Sequence, residues 1–234
     1  MPVNASILCT RPVKETLVAE AAAMGIRLVT VPLIDTEPVL DIDVQQEVEQ
    51  IALQYATVVF TSMNAVESVI TMLDQQVPEW HIYCMGTTTA TIVREYFGDH
   101  SIRGTGSSAA DLADAIIESG ETDEVVFFCG DQRRDELPEK LTAAEITVHE
   151  VMVYRTLPLY KKIEATYDGI LFFSPSAVDS YFKYNKPAAH TVLFAIGHTT
   201  EKAIKQYSDN KIISATTPGK EELVKMAVNY LGEQ

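Results

Sequence analysis

The chain is short of several things, and each shortage closes a class of function. Its 234 residues include only three cysteines, Cys9, Cys84 and Cys129. They form no C-x-x-C pair, and an odd count argues against a disulfide framework, so they read as buried small hydrophobes. Basic residues are scarce as well: 18 Lys plus Arg face 33 Asp plus Glu, a net charge of -15. A polyanion such as DNA or RNA is repelled at long range, and no nucleic-acid partner is expected. A small anion is still admissible, because screening over about 8 Å lets a few local arginines and main-chain N–H groups outweigh distant carboxylates. Long apolar runs are also missing. Stretches such as Val125 to Cys129 and Thr191 to Ile196 fall far short of the roughly 18 residues a bilayer span needs, so no membrane partner is expected. No basic stretch leads into an apolar segment at the N-terminus, where Ile7 and Leu8 run straight into Arg11 and Lys14. The expected location is the cytoplasm.

Catalytic signatures are equally thin. Five histidines, His81, His100, His149, His190 and His198, show no H-E-x-x-H or cysteine–histidine spacing, and no metal is implied. No G-x-S-x-G elbow marks a serine hydrolase. Gly219-Lys220 precedes Glu221 rather than Ser or Thr and lacks the upstream glycine of a phosphate loop. Gly104-Thr105-Gly106-Ser107-Ser108-Ala109 fits G-x-G-x-x-A. The run before it, Ser101-Ile102-Arg103, is too short for the firm strand a dinucleotide fingerprint requires. The acidic pairs Asp41/Asp43 and Glu221/Glu222 fall on segments that read as solvated helix faces, which gives little support to a carboxylate dyad.

What is present is a repeated pattern. With 47% apolar and 22% charged residues the chain can bury a sizeable core, as one large domain or two small ones. Val58-Val59-Phe60-Thr61-Ser62-Met63-Asn64-Ala65-Val66 returns as Ile170-Leu171-Phe172-Phe173-Ser174-Pro175-Ser176-Ala177-Val178, and Cys84-Met85-Gly86-Thr87-Thr88-Thr89 as Ala195-Ile196-Gly197-His198-Thr199-Thr200. A weaker match relates residues 7–38 to 125–158, each ending in Thr-x-Pro. The chain is a duplicated unit.

Short β-branched or aromatic runs alternate with helical segments of period near 3.6. Strands are expected near 5–9, 27–31, 57–61, 80–85, 101–103, 124–129, 147–153, 168–173, 191–196 and 211–215. Such alternation predicts an α/β fold, with parallel sheets covered on both faces. Ten strands divide into two five-stranded lobes. The proline-containing stretches Leu33 to Val39 and Tyr154 to Leu159 read as extended crossings between them. Duplication alone leaves open whether the N-terminal βαβ packs with the segment that follows it or with the C-terminal one.

Several strands end in a small polar cluster that opens a helix: Thr10-Arg11, Thr61-Ser62, Gly130-Asp131, Ser174-Pro175-Ser176 and Gly197-His198-Thr199. The plain reading is helix capping. The sharper one is anion binding, since unpaired N–H groups and the positive dipole end face the crevice outside the carboxyl ends of the strands. Tyr154, in Val151-Met152-Val153-Tyr154-Arg155-Thr156, stands at a crossing. Either its phenol projects into the cleft or it is a packed linker tyrosine whose hydroxyl finds any partner.

The chain resembles the uroporphyrinogen-III synthase family. The resemblance runs over nearly the whole length and is carried by Leu8-Cys9-Thr10-Arg11-Pro12, Val31-Pro32-Leu33-Ile34, Phe60-Thr61-Ser62-x-Asn64-Ala65-Val66, Cys129-Gly130-Asp131-x-x-Arg134-Asp135-x-Leu137-Pro138, Val153-Tyr154-Arg155-Thr156, Phe173-Ser174-Pro175-Ser176-Ala177-Val178 and Ala195-Ile196-Gly197-x-Thr199-Thr200. It implies two flavodoxin-like lobes, each a five-stranded parallel sheet flanked by helices and joined by two extended linker strands. Lobe 1 is residues 1–33 plus 160–234, lobe 2 is residues 39–153, and the linkers are 34–38 and 154–159. The implied activity is cyclisation of hydroxymethylbilane, a linear tetrapyrrole, to uroporphyrinogen III with inversion of ring D and loss of water, without a cofactor. By the same resemblance Tyr154 assists departure of the hydroxyl. The substrate is expected to meet Arg11, Thr61, Ser62, Asn64, Thr88, Gly130, Arg134, Ser174, Ser176, Thr199 and Thr200. Arg11 and Arg134 are assigned to substrate carboxylates or to structural pairing with acids. His198 stands where many members of the family carry proline. A monomer is expected, with a transient contact to the upstream bilane-producing enzyme; the rival is a noncatalytic bilobed binding or regulatory protein of the same fold.

Overall fold

The computed structural model describes residues 4–216 and 219–233, so the outermost parts of the expected lobe 1 (1–3 and 234), with 217 and 218, lie outside the described residues. The chain divides into two units, residues 1–35 with 157–234 and residues 36–156.

In the first unit β1 (Ala5–Cys9), α1 (Glu15–Ala23) and β2 (Ile26–Thr30) are followed, far along the chain, by β9 (Gly169–Phe172), α7 (Pro175–Phe182), β10 (Val192–Ala195), α8 (His198–Lys205), β11 (Ile212–Ser214) and α9 (Lys220–Gly232). The sheet order is β11-β10-β9-β1-β2, parallel throughout. Ile7 of β1 lies opposite Gly169 of β9, so the N-terminal βαβ is completed by the C-terminal segment. Counted within the unit this is the order 2-1-3-4-5, with the β1/β9 boundary as its topological switch point.

The second unit contains α2 (Ile42–Ala52), β4 (Thr57–Phe60), α3 (Met63–Met72), β5 (His81–Met85), α4 (Thr87–Phe97), β6 (Ile102–Gly106), α5 (Ala109–Ser119), β7 (Glu124–Gly130), α6 (Glu136–Ala143) and most of β8 (Thr147–Pro158). Its sheet runs β3-β8-β7-β4-β5-β6, where β3 is Ile34–Pro38. The two expected linkers are thus strands in their own right. Residues 34–38 lie beside β8, and residues 154–158 continue β8 without a break, so this sheet counts six strands. Val39 N–H donates to Val153 O at 2.9 Å, and Leu159 N–H to Leu33 O at 2.8 Å.

The duplication reappears element by element. β4-α3-β5-α4-β6 corresponds to β9-α7-β10-α8-β11, and β7-α6-β8 to β1-α1-β2, with the same spatial order. The halves come in opposite sequence order, because in the second unit β7-α6-β8 follows the other half instead of preceding it. Its switch point is β7/β4.

Apolar strands without alternation fold this way because each face has its own core. Val58, Phe60, Val126 and Phe128 enter one cluster, whereas Val59, Val125, Phe127 and Cys129 enter the opposite one. In the first unit Ile7, Cys9, Leu171 and Phe194 face one side, and Leu8, Ile170, Phe172 and Leu193 the other. Each fully buried Phe contributes about 1.5–3 kcal/mol relative to exposure. Trp80, also buried, donates its indole N–H to Ile51 O at 3.1 Å and leaves no orphan donor.

Candidate functional site

Parallel strands deliver their carboxyl ends to one edge of each sheet, and the duplicated motifs are the turns found there. At the β4 end Ser62 caps α3, its hydroxyl accepting from Asn64 N–H at 3.2 Å; at the β9 end Ser174 caps α7, accepting from Ala177 N–H at 3.2 Å. Ser176 lies 3.1 Å from Ser174, hydroxyl to hydroxyl. The serines are caps, as the plain reading had it, and capping leaves the remaining first-turn N–H groups directed along the helix axis beyond the strand ends. Thr61, Ser62 and Asn64 are half-buried, and Thr88 is exposed in the first turn of α4, which Gly86 opens at φ +80°.

The two switch points differ. At the end of β1, Thr10 is fully buried and its hydroxyl donates to Leu171 O at 2.8 Å, fastening β1 to β9. Arg11 follows it, half-buried. At the end of β7 the corresponding residue is Gly130, and the Tyr154 ring lies directly over it. A β-carbon built on Gly130 would fall 2.6 Å from one ring carbon and 2.8 Å from another.

That placement comes from a bulge. The β7–β8 register runs from Glu124 opposite Thr147 to Cys129 opposite Met152, then skips so that Gly130 meets Tyr154. Val153 and Tyr154, adjacent in sequence, therefore pack on the same core, against the alternation of a regular strand. Asp131 closes the arrangement: its N–H donates to Tyr154 O at 3.2 Å, and its carboxylate accepts from Thr156 N–H at 2.9 Å.

Along the edge of the second unit, then, Tyr154, within β8 opposite the end of β7, is followed by Gly130, Ser62 with Asn64, and Thr88 at the ends of β7, β4 and β5. Along the first unit's edge stand Arg11, then Ser174 and Ser176, then Thr199. Thr200 is 1% exposed, so its side chain belongs to the core and only its main chain can serve a ligand. Arg134 is exposed on the turn between β7 and α6. Its neighbour Arg133 is committed to Glu150 and Asp135 beside a cavity of about 450 Å³, which Cys129, Gly130 and Met152 also line. His198 is the first residue of α8, a position where proline fits equally well, so its presence leaves the helix start intact.

Sequence reasoning named two residues here without finding what they do. Asp131 lies within a quoted motif, yet no one-dimensional signal shows which strand it clamps. Lys220 belongs to the Gly219-Lys220 pair, which is no phosphate loop but opens α9 after β11. Partial desolvation, and then the nearby Arg11 charge, pull its ammonium below the usual lysine range, which places two cations in one neighbourhood.

The G-x-G-x-x-A segment has a packing explanation. Gly104 and Gly106 belong to β6 itself, which extends past the expected 101–103. A β-carbon on Gly104 would come 2.8 Å from the Tyr83 ring, and one on Gly106 2.8 Å from the Leu112 Cα in α5. Ser108 caps α5. Among the described residues no cluster of His, Cys, Asp or Glu could hold a metal ion, and no helix is long and apolar enough to cross a membrane.

Residues 15–225 match the family described as Uroporphyrinogen-III synthase HemD. The chain belongs to the uroporphyrinogen-III synthase family. A uroporphyrinogen-III synthase from Saccharomyces cerevisiae is 30% identical over 161 residues, a match spanning 57% of this chain and 57% of that relative. Two solved uroporphyrinogen-III synthase structures share the fold. The one from Helicobacter pylori 26695 has a TM-score of 0.68 at 16% identity, covering 97% of this chain and 99% of that one. A mutant from Thermus thermophilus has a TM-score of 0.62 at 14% identity, covering 98% and 99%.

Proposed function

We propose that this chain is the uroporphyrinogen-III synthase of tetrapyrrole (haem) biosynthesis, a cyclising lyase that converts hydroxymethylbilane to uroporphyrinogen III. The observation that carries the reading is the family match over residues 15–225. The strand-end rows support it, because a substrate with acetate and propionate groups on every ring needs many anion holders. First-turn N–H groups of α3, α4, α7 and α8 supply them without cationic side chains, and Arg11 with Lys220 adds a positive pair.

The Tyr154 phenol protonates the terminal hydroxyl, the C–O bond breaks and water leaves, giving an azafulvenium cation. Attack by the substituted carbon of ring D forms a spirocyclic intermediate, whose rearrangement inverts that ring before closure. The bilane also closes unaided to the unrearranged isomer, so the protein's task is to favour one carbon over another. Since about 1.4 kcal/mol is tenfold in rate, a few kcal/mol of differential positioning decides the product. No cofactor enters this route. A cytoplasmic monomer in transient contact with the bilane-producing enzyme completes the reading.

The test supplies freshly made hydroxymethylbilane and resolves the oxidised products as type I or type III. Type III should dominate, and an isomer ratio equal to that of a protein-free blank would sink the proposal. Tyr154→Phe should slow turnover about 10- to 100-fold, as loss of a hydrogen bond to a developing charge does. A wild-type rate would remove Tyr154 from the chemistry. Arg134→Ala should raise KM with kcat little changed if it holds a carboxylate.

A further inference from the structure

We propose that Gly130 and Asp131 are positioning residues for Tyr154, and that the absence of a side chain at Gly130 sets where the phenol is held. The proposal rests on the reading of Tyr154 as proton donor, but its geometry stands by itself. Gly130 is buried, and the Tyr154 ring occupies the space a β-carbon would take. No other residue type leaves that space. Conformational freedom is not the reason for the glycine, since Gly130 is absent from the residues of positive φ.

Three features act together on one side chain. The bulge opposite Cys129–Gly130 turns Tyr154 onto the face shared with Val153. Gly130 then provides the seat. Asp131 holds the backbone that leaves the ring, through its N–H to Tyr154 O and its carboxylate to Thr156 N–H. A regular strand with alanine at 130 would send the phenol to the opposite face or lift it from β7. Either shift moves the hydroxyl by an ångström or more, and a misplacement of about 1 Å can cost about 100-fold in rate.

The experiment combines a stability cycle, a spectroscopic probe and kinetics. Gly130→Ala should lower Tm when Tyr154 is present and cost nothing in a Tyr154→Ala background, where the clash is gone. With 3-fluorotyrosine incorporated, the ¹⁹F resonance assigned to Tyr154 by its loss in Tyr154→Phe should move in Gly130→Ala. In the isomer assay Gly130→Ala should lower kcat about 10- to 100-fold with KM within about twofold, and add less than about twofold to Tyr154→Phe. Asp131→Ala, which introduces no clash, should show the same resonance shift and the same non-additivity, and it decides the matter should Gly130→Ala fail to fold. An unmoved resonance, a Tm loss that persists without the ring, or a kcat loss undiminished in Tyr154→Phe would overturn the proposal. If the wild type matched the protein-free blank, the functional reading would fall, while the stability cycle and the resonance would still decide whether Gly130 seats the ring.

Discussion

The ends of β1 and β7 are the same place in two copies of one unit, and they have been put to different use. Cys9-Thr10 closes its switch point with a buried hydroxyl bonded across to Leu171 O, whereas Cys129-Gly130 leaves a seat that an aromatic ring fills. Around them the copies stay alike: serine caps at 62 and 174, glycines at 86 and 197, and a core on each face of each sheet. The copies share what the fold requires and differ at this strand end, where a side chain can change with little disturbance of either core. One copy has a structural staple there, and the other a phenol seated over a glycine.

The strongest test of this equivalence removes the matched core aromatics. Phe60 and Phe172 are both fully buried, and alanine at either should cost about 3–5 kcal/mol in urea denaturation. A small loss at one of them would show that the copies do not share the load as their sequences imply. Next comes the contrast at the strand ends. Thr10→Val should cost about 1–2 kcal/mol, because Leu171 O loses a buried donor, while turnover per folded molecule changes little. A collapse in kcat for folded Thr10→Val would erase the distinction between staple and seat.

The capping serines should behave alike. Ser62→Ala and Ser174→Ala should each cost about 1 kcal/mol, and a KM rise in one but not the other would show which helix start carries more of the substrate. The smallest effect is chemical. Burial pushes the Cys9 thiol up to about 12 and Cys129 to about 11, with Cys84 also at about 11. Almost no thiolate exists at pH 8, so the native protein should resist Ellman's reagent and the thiols should react once unfolded. In linkage terms these thiols stay protonated in the fold at pH values where the unfolded chain ionises. They therefore oppose stability as pH rises past about 9 and do nothing at neutral pH.

Much of this was legible in one dimension because it depends on local chemistry. Each of the ten expected strands corresponds to one in the structure; the central ones, such as β4, β7, β9 and β10, are continuous apolar runs because they are buried on both faces. Ser62 and Ser174 could be assigned as caps because a serine just before an apolar period has one common use. The crossings were readable only in part. Prolines 38 and 158 marked residues 34–38 and 154–159 as extended, but extension does not reveal that β3 lies against β8. Lys220 stayed hidden because its significance is its nearness to Arg11, at the opposite end of the chain.

The family came from the resemblance of the motifs. Composition, periodicity and the internal repeat determined the α/β class, the strand positions and the helix starts after β4, β9 and β10, whereas α1 and α6 begin at Glu15 and Glu136, several residues beyond Thr10-Arg11 and Gly130-Asp131. The features so determined are consequences of burial and hydrogen bonding that each segment meets largely for itself. The resemblance implied that the N-terminal βαβ joins the C-terminal segment, and the β1–β9 pairing agrees; only the tertiary structure decided that a bulge turns Tyr154 against its strand's alternation, and that Gly130 leaves room for the ring. Those outcomes depend on which backbones come into register. Register is set by the fit of whole faces across a sheet, not by the residues of any one strand.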